Sequence, residues 1–240
     1  MWTRARSRAA EGGAPVTYST VEVRRDGPVG WIVFDRPDVG NAIDAVMFTE
    51  LEQAWADLDA DDGVRVIVNT GNGDAFQTGL DVRQLAQDKA ALREQSRRTR
   101  DFDLRMTAWH CGVWKPVVCA VNGVCAGAGL HFVADADVVI ASANASFLDP
   151  HVSVGQVSAI ETIGMIRKSP MEPIVRMALL GRSERMSAER ARQLGILSEV
   201  VDPSALRDRA QAIAETIAQH PAEHLTAVKR ALWSAIEGSN

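Results

Sequence analysis

The chain has 240 residues, enough for one large domain or for a domain with an appendage. Its 26 Lys and Arg against 31 Asp and Glu leave a net charge of −5, which argues against a general nucleic-acid binder. Apolar residues make up 46% and charged residues 24%, a globular mixture that excludes bulk disorder. The apolar runs at 117–121 and 138–141 fall far short of the roughly 20 residues that a bilayer crossing takes, so no membrane span is expected.

Residues 1–17 read as a mobile leader: Arg4, Arg6 and Arg8 are followed by Gly12-Gly13-Ala14-Pro15 and not by an apolar stretch. Two short strands are expected at 20–25 and 29–34, with turn chemistry at 26–28 and a break at Pro37. Asp44 suits the N-cap of a helix carrying Val46, Met47, Leu51, Trp55 and Leu58 on one stripe. A buried strand at 64–68 and a tight turn at 71–73 follow. An Arg-rich helix is expected over 89–109, a strand over 117–121, and a loop of small residues at 125–129 that opens a short helix at 130–134. Strands at 138–141 and 146–148 precede helices near 160–168, 172–180, 188–194, 204–218 and 221–236, interrupted only by a strand at 199–201. The pattern is an α/β core with a helical tail. The odd set Cys111, Cys119 and Cys125 lacks a C-x-x-C spacing, so reduced thiols and a cytoplasmic setting are expected.

Two loops bring bare backbone close to something: residues 75–81 and residues 122–130, each directly after a strand or turn. The second opens a helix, whose first turn carries unpaired N–H donors. Either loop alone is weak evidence. Their order with Asp35-Arg36-Pro37, Asn41-Ala42, Ala75-Phe76, Gly79, Asp81, Ala120-Val121-Asn122-Gly123, Gly127, Gly129, Ala136-Asp137, Leu180-Gly181-Arg182 and Ser187-Ala188 is specific. In these segments, from about residue 21 to 236, the chain resembles the enoyl-CoA hydratase/isomerase (crotonase) superfamily.

The resemblance implies a spiral of repeated β-β-α turns over residues 18–185 and a helical C-terminal region over 186–240 used in trimer formation. It implies an acyl-CoA substrate, with coenzyme A as part of the substrate and no separate cofactor or metal, and a trimer or dimer of trimers. The backbone N–H groups of Leu80 and Ala128 would hold the thioester carbonyl oxygen, where negative charge develops. Gln77, Thr78, Gly79, Gly127 and Glu161 would line the coenzyme A and acyl site, with the adenine near 77–80. Many relatives place a basic residue just before Asn41; Val39 and Gly40 offer none, so phosphate contacts are expected from Arg36, another Arg or Lys229.

The two glutamates of the family's hydratases fall on His131 and His151. As general base and acid, the pair could serve hydration, thioester hydrolysis or cleavage of a carbon–carbon bond, since imidazole titrates near neutrality. Two other readings stand beside this one: histidines that only satisfy hydrogen bonds in a polar cavity, and a metal site of His131, His151 and Asp149 or Asp135. Neither His131 nor His151 lies in an H-x-x-x-H or Cys–His spacing that would support the metal. A rival from another class is a non-catalytic acyl-CoA-binding or assembly module. Glu161 is either a third catalytic group or an exposed helical glutamate. Asp137 and Cys125 read as structural, Asp81 as a helix cap, His110 as a residue near a helix end, and Trp55, Trp109 and Trp114 as core or interface. The resulting expectation is an enoyl-CoA hydratase-like enzyme of lipid, sterol or carboxylic-acid degradation.

Overall fold

A computed structural model describes residues 18–81, 104–158 and 160–237. The hairpin of β1 (Val21–Asp26) and β2 (Val29–Phe34) starts the larger sheet, turning at Gly27 with φ +56°. From β2 onward every pairing in this sheet is parallel: β3 (Val66–Gly71), β5 (Val117–Val121), β7 (Val138–Ser142) and β10 (Glu199–Val201), in the order β1-β2-β3-β5-β7-β10. The central strands are buried on both faces, as such sheets require. Ile32, Phe34, Ile67, Cys119 and Val121 point into one core; Trp31, Val33, Val66, Val68 and Ala120 point into the other.

The first core is closed by α1 (Ala45–Ala60), whose N-terminus is capped by Asp44 accepting from the Met47 N–H at 2.8 Å. Val46 is not on its buried stripe: it is 47% exposed, and Phe48 and Ala54 complete the stripe instead. The second core is closed by α6 (Leu206–Ala218), which lays Leu206, Ala210, Ala214 and Ala218 on the sheet; small residues at i, i+4 spacing let the helix approach closely.

A second sheet, β4-β6-β8-β9, is built from β4 (Ala75–Gln77), β6 (Val124–Ala126), β8 (Ser146–Leu148) and β9 (Met186–Ser187). The segments 75–77 and 124–126 were expected as loops. Three residues are too few to display a period of two, and they become strands because their backbones pair with each other and with β8. Thus β3, β5 and β7 of the large sheet are each followed within a few residues by β4, β6 and β8 of the small one, the repeating turn of a spiral. Asn122 stitches two turns together, accepting from Gly71 N–H and donating to Gly73 O, each at 2.9 Å. At Gly123 a Cβ would lie 2.0 Å from the Asp74 carbonyl oxygen, so only glycine fits.

Residues 186–240 are more than a helical annex, because β9 extends the small sheet and β10 the large one. The terminal helix α7 (Ala222–Glu237) is tied to the core through Asp137. That carboxylate accepts from Val117 N–H (2.8 Å) and Trp233 Nε1 (2.7 Å) and pairs with Lys229 Nζ (2.8 Å), the structural role expected of it. Trp109 stacks on Trp233 at 4.9 Å, and Trp55 is buried in the core. Residues 104–109 form bends and a turn and not the end of a helix; the rest of the expected helix at 89–109, the helix that Asp81 would cap and the leader at 1–17 lie outside the described residues. Among the described residues no helix is long and apolar enough to cross a membrane.

Candidate active site

The first loop is shaped from inside. Gln77 is fully buried, and its amide clasps the next turn: Oε1 accepts from Gly79 N–H at 2.9 Å, and Nε2 donates to Gly79 O at 3.1 Å and to Asn41 O at 3.3 Å. Gly79 has φ +99°, a conformation that side chains rarely adopt. Leu80 then bridges Ile43 as in a parallel strand: Ile43 N–H donates to Gly79 O and Asp81 N–H to Ile43 O, both at 2.8 Å. That pattern turns the Leu80 amide away from Ile43.

The second loop leaves β6 at Gly127 (φ +52°) and places Ala128 at the N-cap of α2 (Gly129–Asp135). The loops meet as bare backbone. A Cβ at Gly79 would stand 3.6 Å from Ala128 N, one at Gly127 3.7 Å from Gly79 Cα, and one at Gly129 only 2.4 Å from Gln77 O. Among the described residues neither the Leu80 nor the Ala128 N–H enters a hydrogen bond. Two adjacent donors of this kind suit an anionic oxygen.

Both histidines are fastened to the second loop. His131 follows Ala128 by one turn, donating its backbone N–H to Ala128 O at 3.2 Å, and His151 follows Pro150, which packs on Gly127. Between them stands Glu161, in the first turn of α3 (Ile160–Ile166). Its Oε1 lies 3.5 Å from His131 Nε2 and 3.6 Å from His151 Nε2. The Glu161 side chain is only 14% exposed, so the expectation of a solvated helical glutamate gives way to that of a group inside the site.

The electrostatics follow from this packing. Burial pushes the Glu161 carboxyl up, but the two imidazoles outweigh it and the net shift is downward, toward the carboxylate. The hydrogen bond from His151 Nδ1 to Asp149 Oδ1, 2.5 Å, raises the His151 pKa above its ordinary value; burial opposes this and the Glu161 charge adds to it. Asp149 is lowered despite burial, chiefly by the same bond.

His110 was not expected here. It belongs to the turn at 107–112, with its ring 5.2 Å from that of His131 and its Nε2 3.7 Å from Asp135 Oδ2. Nothing in its sequence surroundings marks it, because the turn reaches α2 only through the fold. The ligand set considered from sequence is divided: His151 faces Asp149, while His131, His110 and Asp135 form a separate group.

Several residues expected to contact coenzyme A are engaged internally. Gln77 is a buried clamp and offers no surface to an adenine, and the Thr78 hydroxyl donates to Gly40 O at 2.9 Å. Arg36 braces Asp44 and Asp81, each at 3.2 Å, and Lys229 is buried on Asp137 and Lys115 O; neither is available to phosphates. Cys125 is wholly buried, which pushes its thiol well up and agrees with a packing role.

Residues 24–240 match the family model described as Enoyl-CoA hydratase/isomerase. The chain is 33% identical to the (E)-benzylidenesuccinyl-CoA hydratase of Thauera aromatica, over 85% of this chain and 78% of that protein. It is 31% identical to a probable enoyl-CoA hydratase of Mycobacterium tuberculosis, over 93% and 85%. The crystal structure of an enoyl-CoA hydratase/isomerase from Mycobacterium paratuberculosis superposes with a TM-score of 0.81 at 36% identity, covering 92% of this chain and 84% of that one.

Proposed function

The chain belongs to the enoyl-CoA hydratase/isomerase family, and from that premise we propose that it adds water across the double bond of an α,β-unsaturated acyl-CoA. The observation that carries this reading is the single Glu161 oxygen within 3.6 Å of both His131 Nε2 and His151 Nε2, beside two unengaged amides.

The Leu80 and Ala128 N–H groups hold the thioester oxygen and draw electron density from Cβ. His131, supported by the Glu161 carboxylate, takes a proton from water as the water oxygen bonds to Cβ. The π pair moves onto the thioester oxygen as an enolate, which the two amides stabilise. His151, whose raised pKa favours the imidazolium, delivers its proton to Cα, and the carbonyl reforms. The proton held at His131 returns to His151 along the Glu161 carboxylate, so the net change is one water added.

A specific feature favours a second reaction on the same cradle. The Asp149–His151 pair has the arrangement of a base held by a carboxylate, and aimed at the carbonyl it would hydrolyse the thioester or an adjacent carbon–carbon bond. The test is direct. With a crotonyl-CoA-like substrate, hydration removes the absorbance of the conjugated thioester and releases no thiol; thioester hydrolysis releases free coenzyme A thiol. His131→Ala and His151→Ala each lower kcat by about 10²–10⁴-fold with coenzyme A binding retained. Absence of turnover on every acyl-CoA, unaltered by either substitution, identifies a binding module instead. The proposal extends to a trimer or dimer of trimers and to a place in lipid, sterol or carboxylic-acid degradation, with the cytoplasmic setting resting on the unpaired cysteines; sedimentation reads the assembly.

A further inference from the structure

We propose that His110, His131 and Asp135, with Glu161 as a fourth ligand, bind one divalent transition-metal ion of zinc-like preference. One donor atom from each of the first three lies within 4.8 Å of the other two. His110 Nε2 and Asp135 Oδ2 are 3.7 Å apart, and His131 Nε2 and Glu161 Oε1 3.5 Å. Ligands bonded at about 2.0–2.1 Å around a tetrahedral ion stand about 3.3 Å from one another, so these two edges are near that spacing; the widest pair among His110, His131 and Asp135 closes by up to about 1.5 Å, and Glu161, which meets the set at His131, swings inward to complete it. Nitrogen and carboxylate donors in this mixture suit zinc or cobalt better than calcium or magnesium.

Three elements converge to make the set. His131 and Asp135 are one turn apart on α2, which places both on one side of that helix. His110 arrives from the turn at 107–112 and Glu161 from α3. Among the described residues His110 lacks a hydrogen bond at either ring nitrogen: Nδ1 is buried without a partner, and Nε2 is beyond hydrogen-bond range of Asp135. Thr107 donates its hydroxyl to Asp135 Oδ2 at 2.7 Å, the kind of outer contact that orients a ligating carboxylate.

A bound ion takes the His131 lone pair and the Glu161 carboxylate, and so blocks turnover; this consequence rests on the catalytic reading, whereas the binding does not. The chelator-treated chain is titrated with Co²⁺, read by its visible spectrum, and with Zn²⁺, read by calorimetry. One ion per chain and a tetrahedral Co²⁺ spectrum are expected. His110→Ala weakens Kd at least about tenfold and Thr107→Val about tenfold, while exposed His224→Asn on α7 leaves it unchanged. Circular dichroism shows whether each variant is folded. The absence of stoichiometric binding, or equal affinity in folded His110→Ala, overturns the site. A chain that binds Co²⁺ but, when freed of metal by the chelator, turns over no acyl-CoA keeps the site and loses the catalytic reading. A chain that turns over enoyl-CoA and is indifferent to both ions loses the site alone.

Discussion

The amide cradle and the imidazole–carboxylate cluster touch each other yet are held by opposite means. The cradle is backbone: Gly79 at φ +99°, Gly127 at φ +52°, a Gly129 with no room for a Cβ, and a buried Gln77 fastened to the turn by its own amide. The cluster is side chains from three places, α2, the stretch after Pro150, and α3, meeting at 3.5 and 3.6 Å and not at short hydrogen-bond distance. A backbone site tolerates little change, because any shift alters the fold around it. A side-chain site is exchanged one residue at a time and leaves the backbone cradle undisturbed.

The sharpest way to break this contrast is at the shared carboxylate. Glu161→Ala should lower kcat by about 10²–10⁴-fold in steady-state assays with little movement of KM, since in the proposed mechanism Glu161 links the two proton carriers. An unchanged kcat would detach Glu161 from the chemistry. Next in size, Gln77→Leu releases Gly79 and misaims the Leu80 amide; loss of one oxyanion donor costs about 10²–10³-fold in kcat, together with a lower Tm. If only the Tm falls, the cradle is structural.

Asp149→Asn separates the regions by pH. The His151 pKa is raised above 6.5, so the stability it contributes is fully present below 6.5 and lost as pH rises through the raised value. The Asp149 pKa is lowered below 3.8, so its contribution is present above 3.8 and lost as pH falls through the lowered value. Denaturant titration should therefore show the largest destabilisation by Asp149→Asn between these limits, about 1.5–3 kcal/mol for a charge-assisted bond, shrinking at higher pH. The same variant should move the kcat–pH profile to lower pH, because His151 loses its proton sooner. Smallest of all, Cys125→Ala lies in the cradle's own strand but removes only packing: about 1 kcal/mol of stability, with turnover unchanged.

Much of the frame is legible in local pattern. The Asp44 cap, the β2 and β5 strands and the helix at Leu206–Ala218 follow from turn chemistry, β-branched runs and i, i+4 spacing. The small sheet does not, because residues 75–77 and 124–126 form strands only through partners distant in sequence. Gln77 was given an outward role by the resemblance and Arg36 and Lys229 as basic residues, and each is spent on an internal contact that neither resemblance nor residue type reveals.

Glycine positions and the order of motifs, both properties of the chain as written, determined the family and the two turns of the cradle, because backbone that needs positive φ or the absence of a Cβ leaves its mark in residue identity. Only the tertiary structure decided that Glu161 stands between His131 and His151, that Asp149 takes His151 and that His110 joins Asp135. Those pairings depend on how α2, α3 and the turn at 107–112 pack, and a distance set by packing has no local signature.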